Sequence, residues 1–171
     1  HAYAYRAFYA IRNMKSPEGR ATNAIFGFVK MLARMRVTLN PTHLIVVWDG
    51  GLSAERQAAL PGYKAQRPEM PDDLASQLDE IGEYLKAARI ASYCEDGVEA
   101  DDYIAFLARQ SVVAGLEAVI ASSDKDFMQL VSPRVRQWSP PRASEPAQWI
   151  DLAGVRERWG VEAGQMVDLL A

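Results

Sequence analysis

Glu99-Ala100-Asp101-Asp102 and Asp124-Lys125-Asp126 place five carboxylates in two tight clusters, each shortly after an apolar run. Carboxylates that close repel one another, so a positive charge is expected among them. A sixth acid, Asp49, closes the apolar run Leu44–Trp48 ahead of Gly50-Gly51. Donors that are all oxygen suit a hard divalent cation, Mg²⁺ or Mn²⁺. Each acid taken singly has a plainer reading. Glu99 to Asp102 could complement a helix start, Asp124 could be an N-cap, and Asp49 could open a turn. Capping asks for one acid per helix, however, and accounts for neither the E-x-D-D nor the D-x-D spacing.

Elements of defined type must hold these acids. Leu44–Trp48, the run Ala88–Cys94 and Leu116–Ala121 read as buried strands of a parallel sheet. In open α/β sheets ligands sit outside the carboxyl ends of the strands, so strand ends that carry acid are expected to converge on one crevice. Helices are expected over Ala2–Arg12, over Thr22–Arg36 with Ile25, Phe28, Val29 and Leu32 on one face, from Pro71 to about Ala88, and from Asp101 to about Ala114 with Ile104, Phe106 and Leu107 toward the core. Ser16-Pro17-Glu18-Gly19 reads as a turn. A short helix through Phe127-Met128-Gln129-Leu130 would follow Asp124. The alternation of strand and helix predicts an α/β fold, a central and mostly parallel sheet with helices on both faces. The segment from Gly50 to Met70 interrupts the pattern with Pro61, Gly62, Pro68 and three basic residues, and long irregular segments in compact domains tend to be functional.

With 171 residues, 49% hydrophobic and 24% charged, the chain can bury a core and is expected to form one domain over residues 1–171. It has no apolar stretch of membrane-spanning length and no signal-peptide pattern, so a cytoplasmic protein without a membrane partner is expected. Cys94 has no second cysteine to pair with and reads as a small core residue on its strand. His1 and His43 have no partner at ligand spacing and read as structural, which argues against zinc. The net charge of −3 argues weakly against nucleic acid, but neutralising the six acids leaves the remainder at +3. The bases are grouped at Arg34 and Arg36, at Arg56, at Lys64 and Arg67, and at Arg134 and Arg136.

Five separated segments, Tyr5-Arg6-Ala7-Phe8-Tyr9, Thr22 to Phe28, Gly62 to Pro71, Glu99 to Asp102 and Asp124 to Leu130, together resemble the 5′→3′ exonuclease domain of bacterial DNA polymerase I and its flap endonuclease relatives, in the same order and over nearly the whole chain. The resemblance implies a PIN-like, resolvase-like nuclease fold with a helical arch or clamp at about residues 50–70. It also implies a structure-specific 5′-nuclease that hydrolyses phosphodiesters in DNA at 5′ flaps, nicks and primers during replication and repair. By motif, Asp49, Glu99, Asp101, Asp102, Asp124 and Asp126 would be the metal ligands of two ions. Lys64 and Arg67, three apart and so on one face of a helical arch, would hold the scissile phosphate. Arg6 matches a family phosphate contact, Tyr63 would stack on an unpaired base, and Arg56 would join the DNA surface.

The same resemblance sets expectations about what surrounds these residues. The family starts with an apolar strand ending in Asp-Gly just before the segment matched by His1-Ala2-Tyr3. It continues beyond this chain's end into a Gly-Asp-x-x-Asp-Asn segment and a helix–three-turn–helix that grips duplex DNA. One ligand, one strand and the duplex grip are therefore expected outside the 171 residues, which alone would be weakly active or inactive. The expected partners are DNA with a 5′ single-stranded end and, in one version, a polymerase domain in the same chain. The protein is expected to be monomeric and nucleoid-associated in a bacterium. Two alternatives stand beside this reading: a PIN-like ribonuclease, against which the arch-like segment argues, and a non-catalytic DNA-binding module, against which the intact acids argue.

Overall fold

A computed structural model describes residues 1–51, 58, 69–141 and 145–170, which form two compact units, His1–Glu99 and Ala100–Ala171. The fold is α/β, as the alternating pattern predicts. Its strands form two small sheets, one in each unit. Among the described residues, no helix is long and apolar enough to cross a membrane.

In the first unit, helices α1 (Ala2–Ala10), α2 (Asn23–Leu39) and α3 (Asp72–Ala87) accompany strands β1 (Ile45–Val47) and β2 (Ala91–Tyr93). Ala24, Phe28, Leu32 and Met35 recur at helical spacing and are the buried stripe of α2, while Leu74, Ile81 and Leu85 are that of α3. Helix α1 lies close against α2 because Gly27 has no side chain: a Cβ there would sit 2.5 Å from that of Ala7. The turn Ser16–Gly19 forms as expected, closed by Gly19 N–H donating to Ser16 O at 2.9 Å, with Gly19 at φ +86°.

One buried amide joins all three helices. Thr22, the N-cap of α2, makes no side-chain cap bond, and Gln77 of α3 does the capping instead, its Oε1 accepting from Ala24 N–H at 2.7 Å and Ile25 N–H at 3.3 Å. Gln77 Nε2 donates to Asn23 Oδ1 at 3.1 Å and to Asp73 O at 2.7 Å, and Asn23 Nδ2 donates to Phe8 O and Ile11 O at the end of α1. Every polar atom of the Gln77 side chain is satisfied.

The two strands pair in parallel, Ile45 with Ala91 and Val47 with Tyr93. They are shorter and less buried than their apolar letters suggest. Ala91 and Ser92 are exposed and Ile45 is 41% exposed, because β2 offers small side chains and, among the described residues, each of the two strands pairs with one neighbour. Cys94, expected in the core, is likewise exposed, one residue beyond β2.

The second unit opens with α4 (Ala100–Val113), followed by β3 (Ala118–Ala121), a 3₁₀ turn (Lys125–Leu130), β4 (Val135–Ser139), β5 (Gln148–Ile150), α5 (Leu152–Trp159), a second 3₁₀ turn (Ala163–Gln165) and α6 (Met166–Leu170). Strand β4 is central, parallel to β3 and antiparallel to β5. One core joins Ala108, Ile120, Phe127 and Val135, with Ile104 and Val112 packed on it. Ile104, Ala108 and Val112 are four apart and make one stripe, which puts Phe106 on the far side of α4, 51% exposed, contrary to its expected place in the core. A second core gathers Met128, Val131, Ile150, Val155, Ala163 and Met166. Helix α5 has sequence-legible ends: Asp151 Oδ1 caps Gly154 N–H at 2.9 Å, and Gly160 follows at φ +72°.

Candidate functional site

In the first unit Asp49 lies just past β1. Trp48 anchors the strand end: its N–H donates to Tyr93 O at 2.8 Å, its Nε1–H donates to Ser92 Oγ at 2.7 Å, and its ring stacks on Phe28 with centroids 5.7 Å apart. The chain then turns through Gly50 with no space to spare. Gly50 N–H donates to Val98 O at 3.0 Å, Gly97 N–H donates to Gly50 O at 2.9 Å, and a Cβ on Gly50 would fall 1.7 Å from Glu95 O. These bonds tie the loop after β1 to the loop after β2, so Asp49 and the buried Glu99 stand on backbone that is fixed together. Asp49 Oδ1 accepts from Gly51 N–H at 3.1 Å, an Asx turn, and Asp49 N–H donates to His1 Nδ1 at 3.3 Å. His1 also meets Trp48 edge to face at 5.4 Å. Its structural role is as expected, but its place beside Asp49 carries no signal in the spacing of the histidines.

In the second unit Asp101 and Asp102 lie in the first turn of α4, where negative charge complements the positive helix end. Asp124 and Asp126 follow β3. A short turn reverses the chain between α4 and β3, so the carboxyl end of β3 returns toward the end at which α4 begins. Asp124 is an N-cap as well as an acid: its Oδ1 accepts from Asp126 N–H at 3.0 Å, which opens a 3₁₀ turn where a helix was expected. The turn is also held from β4, for Gln137 Nε2 donates to Ser122 O at 2.9 Å and to Asp124 O at 2.7 Å. Asp101, Asp102, Asp124 and Asp126 are all exposed.

Among the described residues, no three His, Cys, Asp or Glu side chains stand together in a group that could hold a metal ion. The expected six-acid crevice is thus found as its parts: Asp49 and Glu99 in the first unit, and Asp101, Asp102, Asp124 and Asp126 in the second. The chemistry of those parts fits a hard divalent cation, because each contributes carboxylate oxygen alone, at a strand end or helix start.

Arg6, the expected phosphate contact on α1, is half-buried. Its Nη2 donates to Met31 Sδ at 3.2 Å, and its guanidinium lies 5.1 Å from the centre of the Tyr3 ring. Burial pushes the Tyr3 phenol well above its usual value, with Arg6 acting in the opposite sense. Arg56, Tyr63, Lys64 and Arg67 lie outside the described residues.

Comparison with known proteins gives the chain a family. Residues 1–160 match the model of the 5′-3′ exonuclease, N-terminal resolvase-like domain. The chain is 36% identical over 166 residues to DNA polymerase I of Bacillus caldotenax, an alignment that covers 97% of this chain and 19% of that protein. It is also 36% identical over 170 residues to the 5′-3′ exonuclease of Aquifex aeolicus, covering 99% of this chain and 57% of that one. It therefore spans about a fifth of that polymerase and just over half of that exonuclease.

Among solved structures, the bacteriophage T5 D15 flap endonuclease in a pseudo-enzyme-product complex with DNA and metal ions superposes with a TM-score of 0.65 at 20% identity, covering 97% of this chain and 61% of that one. The catalytic core of Rad2 in complex with a DNA substrate gives 0.58 at 17%, covering 98% of this chain and 50% of that one. Both are likenesses of fold. On the match over residues 1–160, the chain belongs to the family of 5′-3′ exonuclease N-terminal resolvase-like domains.

Proposed function

We propose that this chain is the nuclease portion of a divalent-metal-dependent 5′-nuclease that hydrolyses phosphodiester bonds in DNA carrying a 5′ single-stranded end, flap, nick or primer. The observation that carries this reading is the placement of acid at the carboxyl ends of β1 and β3 and at the start of α4, in a chain of this family. The flap endonuclease crystallised with DNA and metal ions supports the same substrate and cofactor class.

Asp49, Glu99, Asp101, Asp102, Asp124 and Asp126 would hold Mg²⁺ or Mn²⁺, two ions in the complete protein. Bound there, the ions supply an acidified water and stabilise charge on the phosphate and the leaving oxygen. The chain's own work is positioning. The backbone tie at Gly50 orients Asp49 and Glu99, and the cap of Asp126 N–H by Asp124 orients that pair. Lys64 and Arg67 would hold the scissile phosphate, Tyr63 would stack on an unpaired base, and Arg6 and Arg56 would contact the DNA backbone. The protein acts as a monomer on DNA in the cytoplasm, at the nucleoid, either free-standing or joined to a polymerase domain.

The full-length protein incubated with a 5′-flap duplex and Mg²⁺ or Mn²⁺ should cut the flap strand. Asp101→Asn and Asp124→Asn should each lower the rate about 10²–10³-fold, the size of several kcal/mol of lost charge stabilisation. Lys64→Ala should slow cleavage about 10²-fold through misplaced phosphate while metal affinity holds. An uncut flap, or cleavage indifferent to both aspartate changes, refutes the reading.

A further inference from the structure

Gln137 occupies a position where its strand calls for an apolar side chain. It is fully buried on the central strand β4, two residues from Val135 and hence on the same face, the face that packs on Ala108, Ile120 and Phe127. Register pairs it with Ile120. From there its amide reaches past the end of β3 and donates both N–H bonds to the turn, to Ser122 O at 2.9 Å and Asp124 O at 2.7 Å. The orientation of the amide is dictated by chemistry, since two carbonyl acceptors require the NH₂ group. The cost falls on the other end: among the described residues Gln137 Oε1 has no hydrogen-bond partner. Burying an acceptor without a donor is unfavourable, and this offsets part of what the two part-buried bonds contribute. Stability alone is therefore a poor reason for a glutamine here. What the amide adds is placement. Ser122 Oγ accepts from Asp124 N–H at 3.1 Å and Asp124 Oδ1 accepts from Asp126 N–H at 3.0 Å, so holding the carbonyls of Ser122 and Asp124 holds the Asp124 carboxylate and the backbone from which Asp126 projects.

We infer that Gln137 is a positioning residue for Asp124 and Asp126, a side-chain clamp that sets the affinity of this acidic pair for a divalent cation. The inference rests on the nuclease reading for its purpose but not for its test.

The experiment uses full-length protein carrying Gln137→Met, which keeps the volume and removes the amide. Mn²⁺ binding without DNA is followed by electron paramagnetic resonance, and exchange of the Asp126 amide hydrogen by NMR. Loss of an outer partner of a metal ligand costs about 10–100-fold in affinity, so Mn²⁺ binding should weaken by about tenfold or more. Asp126 should exchange faster, and flap cleavage should recover at saturating Mn²⁺ with KM for DNA within about twofold of wild type, a pattern that general loss of structure would not give. Mn²⁺ affinity and Asp126 exchange unchanged in a folded Gln137→Met protein would overturn the inference. So would failure of both Gln137→Met and a second variant, Gln137→Leu, to fold, because Gln137 would then be a core residue and not a clamp. An uncut flap with wild-type protein strikes the nuclease reading alone, since the Mn²⁺ and exchange measurements need no cleavage.

Discussion

Asp49 and Asp124 each follow a short parallel strand, yet the two strand ends are held by different means. After β1 the tie is backbone to backbone: Gly50 bonds to Val98 and Gly97, and the approach is so close that no side chain fits. After β3 the backbone makes one bond to the neighbouring strand, Ser122 N–H to Trp138 O at 3.1 Å, and Ser139 Oγ meets Ser123 Oγ at 3.2 Å, but Asp124 itself is held from that strand by a buried side chain, Gln137. A backbone tie cannot be altered without moving both loops. A side-chain tie can be removed with the strands left in place. The first unit thus offers its acids on a fixed frame, while the second offers Asp124 and Asp126 on a frame that a single substitution can loosen.

The sharpest way to break this contrast is Gly50→Ala. With Glu95 O at 1.7 Å from the added methyl, the loops must part, and overpacking against backbone should cost about 3 kcal/mol or more. Thermal unfolding of the full-length protein measures it. A loss under about 1 kcal/mol would show that the loops separate easily and that the tie is not rigid.

The two buried glutamines give the next test. Gln77→Met removes the buried acceptor of Ala24 N–H and the donor to Asn23 Oδ1, leaving groups at the start of α2 with no replacement, for a loss of about 2–3 kcal/mol. Gln137→Met removes an orphaned acceptor together with its two bonds, so its net cost should be about 1 kcal/mol or less. Denaturant midpoints of the two variants compare them directly. Equal losses would place Gln137 with Gln77 as a fold-holding residue and undo the contrast.

Much of this frame is legible in the sequence because helices announce themselves by period. The spacing of Phe28 and Leu32 marked α2, its start within a residue and its end three residues short, and Pro71-Asp72-Asp73 marked the start of α3 within a residue. Period also explains a miss: Phe106 looks like a core residue by type, but the stripe Ile104, Ala108 and Val112 faces the core and leaves it outside. The strand runs were legible in position and not in burial, because Ala91, Ser92 and Cys94 are apolar or small by letter while burial depends on what packs against them. The candidate site divides the same way. Acid type and spacing single out Asp49, Glu99, Asp101, Asp102, Asp124 and Asp126 as candidates, but the parts that hold them are partners distant in sequence. Gly50 reads as an ordinary turn glycine until Glu95 O is found beside it, and Gln77 and Gln137 are polar letters whose meaning lies 53 and 13 residues away.

The smallest expected effect separates the two roles of Asp124. As an N-cap it is replaceable by Asn, which accepts the Asp126 N–H bond about as well, and the lost charge near a short 3₁₀ turn is worth only a few tenths of a kcal/mol. Asp124→Asn should therefore change the metal-free melting free energy by less than about 0.5 kcal/mol. The cation response should change far more. A protein that binds Mn²⁺ only when folded gains about 2.7 kcal/mol at a hundred times its dissociation constant, and the variant should lose most of that gain if Asp124 is a ligand. Melting both proteins with and without Mn²⁺ thus reads the cap and the ligand separately. Were the variant destabilised without metal and equally responsive to Mn²⁺, Asp124 would be a cap alone, and the second unit would have a firmly built turn with no cation to serve.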